Sequence, residues 1–252
     1  AHAVLRLLAE RIDPARLRVL IACGSHAYPS EAQRRAFERS VLGEIRPAAV
    51  AWHESRSADL ATISPAPNGG DALAAPRPWR GHPWLLEAEA VLAVGSVEPH
   101  YFAGWTGAHK TCTIGLAAYE DIERNHAAAL SPLCRPACLD ANPVAEGVLA
   151  MLAALESLVP VAAVDLVQAG PEIVAAAGGS AGSALFGCIP AASAAFVRRT
   201  DHPFDALVAD VTGPLAESFY QADKGIKNNE HAVRDGGCLV LAAACPRGIG
   251  QD

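Results

Sequence analysis

The sequence is short of positive charge. Against 27 aspartates and glutamates it sets 20 lysines and arginines, for a formal net charge of -7 and a pI near 5.7. No basic cluster stands ready to neutralise a run of phosphates, which argues against a nucleic-acid partner and against an anionic membrane surface. Long apolar runs are missing as well: none reaches the roughly 18 to 20 residues that a membrane-spanning helix needs. No secretory signal opens the sequence, so a soluble cytoplasmic protein is expected. The spaced Gly-x-Gly-x-x-Gly fingerprint of a dinucleotide fold is also lacking. The glycine-containing run at 178–187, GGSAGSALFG, reads instead as a strand end with tight helix packing.

Cysteine is present, but not in a stapling pattern. Cys23, Cys112, Cys134, Cys138, Cys188, Cys238 and Cys245 are odd in number and scattered, so the reduced thiols of a cytosol fit best. Cys134 and Cys138 are the close pair, and no two further ligands at metal-site spacing accompany them.

What is there is a 252-residue chain, 51% hydrophobic, enough for one large or two small domains. Apolar spacing at Val4, Leu7, Leu8 and Ile12 predicts an amphipathic helix ending near Pro14. LRVLIAC, at 17–23, predicts a buried strand that delivers His26 at its carboxyl end, the usual arrangement of an α/β site. Ser30 and Glu31 mark the next helix start. Residues 48–53 read as a second strand, followed by His53 in a solvated loop. The proline- and glycine-rich segment 64–83 reads as a loop or short hairpin over the surface, outside the core, and 85–90 as a short helical link. Helical patterns follow at 116–130 and 143–158, and a hairpin at 161–177. Finally, a strand at 204–213, a long helix at 215–233 and a strand after Gly236-Gly237 predict a βαβ unit with parallel strands. The expected class is α/β: two α/β lobes with mostly parallel sheets and the active site in the cleft between them. The expected division is 1–198, carrying the site lysine, and 199–252, a partial second domain.

The densest chemistry lies at 91–115, VLAVGSVEPHYFAGWTGAHKTCTIG. An apolar strand breaks at Gly95, and His100, Tyr101, Phe102, Trp105, His109 and Lys110 crowd in among glycines. Core packing does not call for that mixture. Glycines admit a ligand close to the backbone, and aromatic faces suit a ring system.

The run His100-Tyr-Phe-Ala-Gly-Trp-Thr-Gly-Ala-His-Lys110 resembles the HYFAGFSGGRK signature of the lactate racemase family. His126, at the same spacing beyond the lysine, fits too, as do Gly24-Ser25-His26 (family GTHRP) and the segment around Gln221 and Lys224 (family YQAxKG). The chain departs from the pattern at Gly107-Ala108-His109, where the family has Gly-Gly-Arg, and at 111–115. The resemblance implies racemisation or epimerisation of a 2-hydroxy acid by hydride transfer to a nickel-pincer nucleotide (pyridinium-3,5-bisthiocarboxylic acid mononucleotide nickel). It also implies roles. Lys110 would tether the cofactor through a thioamide, and His126 would donate a nitrogen to nickel. His26 and His100 would be the two acid/base residues, and Lys224 and Gln221 would bind substrate carboxylate or cofactor. Phe102 or Trp105 would shield the site from water. Cofactor-biosynthesis proteins would be partners, and a homo-oligomer is possible.

Two rival readings remain at this stage. His26, His100 and His126 also suit a three-histidine zinc site of a hydrolase, which leaves Lys110 unexplained. A truncated homologue that only binds the nucleotide or a partner chain is the other. The family places an Asp-x-x-Arg-Pro motif just before a helix like that at 3–12, and further α/β structure beyond residue 250. The sequence is therefore expected to be a fragment, a partner polypeptide or a compact variant, with Arg247 a candidate for the carboxylate-binding arginine.

Overall fold

The computed structural model describes residues 1–26, 29–65 and 77–250. Helix α1 (His2–Ala9) buries Leu5. After a 3-10 turn at Pro14–Arg16 comes strand β1 (Arg18–Ile21). Helix α2 (Glu31–Leu42) starts at the expected cap. The Ser30 hydroxyl accepts the Gln33 amide while the Gln33 side chain accepts the Ser30 amide, so each satisfies an end group that the helix leaves open. The helix returns the chain to strand β2 (Ala49–Trp52), parallel to β1 with Arg18 opposite Ala49. Both strands therefore end at one edge, which is where His26 and His53 emerge.

Two expectations fail in this region. His53 is not in a solvated loop: it is fully buried and its Nε2 donates to the Ala117 carbonyl at 2.9 Å. Part of the proline-rich segment, 66–76, lies outside the described residues. Strand β3 (Ala61–Ile63), which lies just before the segment, pairs antiparallel with strand β4 (Trp79–Gly81), near the segment's end, and this pair is not on the surface. Ile63 and Trp79 belong to the main core, and the Trp79 indole donates to the Met151 carbonyl at 3.1 Å. Indole bulk outweighs the loop-like composition around it.

Helix α3 (Trp84–Glu87) leads into strand β5 (Val91–Ser96). A tight pair follows, strands β6 (Pro99–His100) and β7 (Gly104–Trp105), then the short helix α4 (Ala108–Thr111) and helix α5 (Tyr119–His126). Helix α6 (Pro143–Glu156) is the crossover to strand β8 (Val161–Ala169), which pairs parallel to β5. Strand β9 (Glu172–Gly179) turns back antiparallel to β8, and helix α7 (Ala181–Phe196) packs on both. Val148, Leu152 and Leu155 of α6, Ala93 and Ala163 of the sheet, and Ala184 of α7 fill the core between them. Asn142 organises this crossover. Buried, it accepts the amides of Val144 and Ala145 and donates to the carbonyls of Phe102 and Cys138 at 2.9 and 3.0 Å. One side chain thus caps α6 and ties it to the β6–β7 turn.

Strands β10 (Phe204–Val211) and β11 (Val233–Ala243) pair parallel, as the βαβ reading requires. The long connecting helix does not exist. A 3-10 turn at Gly213–Glu217, helix α8 (Phe219–Ala222), helix α9 (Lys224–Lys227) and a 3-10 turn at Glu230–Ala232 replace it. Ser218 is extended and caps α8, while Gly225, Asn228 and Asn229 are poor helix formers, so apolar spacing alone overstated the helix. Strand β11 also starts before Gly236-Gly237, which sit where the pairing shifts register.

One close approach matters for the site. A Cβ on Gly95 of β5 would lie 2.2 Å from the Ala108 nitrogen and 2.7 Å from Asp165 Oδ1. Helix α4 is therefore seated directly on the sheet. Gly95→Ala is expected to cost about 3 kcal/mol, the upper end of overpacking penalties, read as a lower urea midpoint. An unchanged midpoint would mean that α4 lifts away freely.

Candidate active site

The β6–β7 pair sets His100 opposite Gly104. His100 Nδ1 accepts the Ala103 amide at 3.2 Å, which leaves the proton of the neutral ring on Nε2. Tyr101 stacks on His100 with centroids 4.9 Å apart and 15° between planes. The buried Phe102 ring meets His100 edge-on at 4.5 Å and His126 at 4.8 Å, and the Lys110 amine lies 5.9 Å from its centroid. Phe102 is thus the apolar hub around which two imidazoles and the amine are disposed.

The electrostatics tie in the remaining residues. Burial pushes the Lys110 ammonium down to about 8, and the charge of Lys224 adds to the effect. His100 is pushed to about 2, first by burial, then by Lys110, Lys224, His126 and His26. His126 falls to about 4 through burial and Lys110, with the Ile122 carbonyl opposing and His26 adding slightly. Near neutral pH both imidazoles are therefore uncharged. Lys224 also donates to Gln221 Oε1 at 2.7 Å, so these two act together. His26, Lys110 and Lys224, far apart in sequence, thus act on the ring of His100.

Not every sequence expectation holds. Trp105 does not join the histidines: it is buried in a second core cluster with Val97, Val167, Leu185, Cys188 and Ala192. Alternation along the two-residue β7 strand points its indole into this cluster. Among the described residues no three His, Cys, Asp or Glu side chains gather as metal ligands, so the three-histidine zinc alternative lacks its ligand set. Cys134 is buried with its thiol within donating reach of the Ala128 carbonyl at 3.3 Å and of Asn142 Oδ1 at 3.4 Å. Sequence reading missed Tyr101 as a stacking partner, and it missed Asp165, fully buried in β8 with one carboxylate oxygen accepting the Ala108 amide at 2.7 Å. A lone carboxylate in VAAVDLVQA was the available signal.

The geometry defines an α/β protein with a lysine amine set among imidazoles beyond the ends of parallel strands. Residues 1–135 match the lactate racemase N-terminal domain. Over 245 residues the chain is 30% identical to the lactate racemase of Thermoanaerobacterium thermosaccharolyticum, covering 94% of this chain and 54% of that protein. Over 255 residues it is 27% identical to the lactate racemase of Lactiplantibacillus plantarum, covering 99% and 57%. The structure of the Thermoanaerobacterium lactate racemase apoprotein matches with a TM-score of 0.83 at 25% identity, over 99% of this chain and 59% of that one. A Thermotoga maritima protein shares the fold, with a TM-score of 0.71 at 20% identity over 97% and 64%. The chain belongs to the lactate racemase N-terminal domain family, and it spans little more than half the length of these curated relatives.

The lysine environment has a direct consequence. The rate at which trinitrobenzenesulfonate modifies Lys110 should rise with pH through a midpoint of about 8. Because the Lys224 charge lowers that midpoint, Lys224→Gln should raise it; a midpoint at the ordinary lysine value of about 10.4 in the parent chain would contradict the buried placement.

Proposed function

We propose that this chain carries the cofactor-bearing and acid/base part of a 2-hydroxy acid racemase or epimerase, an isomerase. The observation that carries this reading is the half-buried Lys110 amine, its charge weakened by burial and by Lys224, beside the neutral imidazoles of His100 and His126.

The residues fit a nickel-pincer nucleotide. An amine titrating at about 8 is partly unprotonated near neutral pH and open to acylation, as a covalent tether on Lys110 requires. His126 is neutral near physiological pH, the charge state in which an imidazole nitrogen can serve a metal such as nickel. When bound, this group supplies the hydride acceptor that side chains lack.

The chain's own residues account for the rest. The α-hydrogen of a hydroxy-acid anion is too weakly acidic for a side-chain base, so the proton to be moved is that of the hydroxyl. His26 and His100 serve this proton on opposite faces of the substrate carbon. Lys224, oriented by Gln221, takes the substrate carboxylate as a point charge. Phe102 covers the transfer site and keeps water from it. On this reading the division falls at residue 198, and Lys224 and Gln221 belong to a second lobe that would face the histidines across a cleft. Proteins that build and load the cofactor are partners, a homo-oligomer is compatible with this arrangement, and the cytoplasm is the proposed location.

Protein produced with the cofactor-building machinery should show an intact-mass adduct that maps to Lys110. In a chiral assay over a panel of 2-hydroxy acids, His26→Ala and His100→Ala should each lose about 10²- to 10⁴-fold in racemisation. Unchanged racemisation in both variants overturns the two-histidine assignment; an adduct with no turnover on any substrate identifies a binding protein instead.

A further inference from the structure

Two buried polar atoms have no part in the reading above. Asp165 in β8 is 0% exposed and His109 in α4 is 2% exposed. Asp165 Oδ1 accepts the Ala108 amide at 2.7 Å, yet Oδ2 has no hydrogen-bond partner, and neither has His109 Nδ1. Buried polar atoms are nearly always satisfied, so a pair left over at one place calls for an explanation. The two atoms flank the same point. A Cβ built on Gly107 would sit 3.0 Å from His109 Nδ1 and 3.3 Å from Asp165 Oδ2. Gly107 has a φ of 151°, which side-chain-bearing residues rarely adopt, so no side chain at 107 comes between them. Gly95 does the same service beneath: Asp165 lies opposite it in the sheet, and the carboxylate passes over it to reach Ala108.

These atoms make no direct hydrogen bond, and their enclosure, polarity and shared focus suit one water molecule with a partner on each side. We propose that Asp165 is a positioning residue for Lys110. With one oxygen it holds the Ala108 amide, and with the other, through one bound water, it holds His109 Nδ1, so that the turn carrying Lys110 is fixed on both sides of Gly107. The departure from the family signature fits this arrangement: where the resembling pattern has arginine, this chain has a histidine buried against a carboxylate. The inference deepens the proposed function and rests on Lys110 as its working amine.

The test is trace acetylation of the full chain without cofactor by acetic anhydride at pH 8, scoring Lys110 against Lys227 by peptide mass spectrometry. Asp165→Ala releases the turn, and the Lys110 to Lys227 ratio should fall by about fivefold, since an amine of pKa about 8 is about half unprotonated at pH 8 and a rise of one unit toward the solvated value leaves about a tenth. Asp165→Asn still accepts from Ala108 and now donates toward His109, so it should restore the parent ratio, a rescue that mere loss of charge would not give. His109→Phe should lower the ratio in the same direction. An unchanged ratio in Asp165→Ala, or an equal fall in Asp165→Asn, overturns the proposal. If Asp165→Ala does not fold by circular dichroism, His109→Phe decides, and an unchanged ratio there overturns it equally. The adduct mass on Lys110 is independent of this ratio. A missing adduct with the expected ratios sinks the tether and leaves the positioning role standing, and the reverse result sinks the positioning role alone.

Discussion

Keeping a lysine amine out of water beside a second lysine is the constraint to which the rest of the structure answers. Lowering an ammonium from 10.5 to about 8 corresponds to a penalty on the charged form on the order of 3 kcal/mol, a large share of the 5–15 kcal/mol that holds a typical domain together. A purely structural lysine would turn its flexible stem outward and avoid that cost. Here the helix that carries it is seated on β5 at Gly95, its first amide held by Asp165, and the amine lies 5.9 Å from the Phe102 ring. Burial keeps the neighbouring imidazoles neutral, and the charge of this amine adds to that effect.

The support comes from side chains that carry no chemistry of their own. Asn142 uses both faces of its amide, capping α6 with its oxygen and holding the Phe102 and Cys138 carbonyls with its nitrogen. Because Phe102 touches His100 and His126, fixing its backbone fixes the spacing between the two imidazoles. Val148, Leu152 and Leu155 behind that cap anchor α6 to the sheet. The site geometry is thus a consequence of one crossover helix whose start is bound to the turn it must align, which is how a rigid element makes a loop-borne site accurate.

Much of this was legible before any coordinates, for physical reasons that differ by element. The capping box at Ser30 is written in local chemistry, and so was readable. Strands β1, β5, β8 and β10 announced themselves by β-rich apolar runs ending at glycine or polar residues, and the His100 to Lys110 signature stood in one short segment. What failed depended on contacts distant in sequence. His53 is buried because Ala117 offers it a carbonyl 64 residues away, and Trp79 is in the core because Met151 does the same from 72 residues away. Trp105 was drawn to the site by proximity in sequence, whereas strand alternation sent its indole to the other side. The helix expected at 215–233 broke because spacing records which positions are apolar, and not whether Gly225, Asn228 and Asn229 allow the backbone to stay helical between them.

The two histidines assigned to the substrate proton are not equivalent, and their difference bears on the reaction proposed. His26 is exposed at the end of a strand, whereas His100 is half-buried, its Nδ1 occupied by the Ala103 amide. An imidazole that accepts at Nδ1 presents Nε2–H, so His100 meets a substrate oxygen first as a donor. To take a proton at Nε2 it must carry its own proton on Nδ1 and so give up the Ala103 hydrogen bond, and burial together with Lys110 and Lys224 opposes the doubly protonated ring. The same cations that resist an imidazolium favour an anionic substrate, whose carboxylate would offset them when it binds. In the reaction proposed, a bound anion would therefore offset the part of the His100 shift that the two lysines supply, while the larger part, set by burial, stays with the fold.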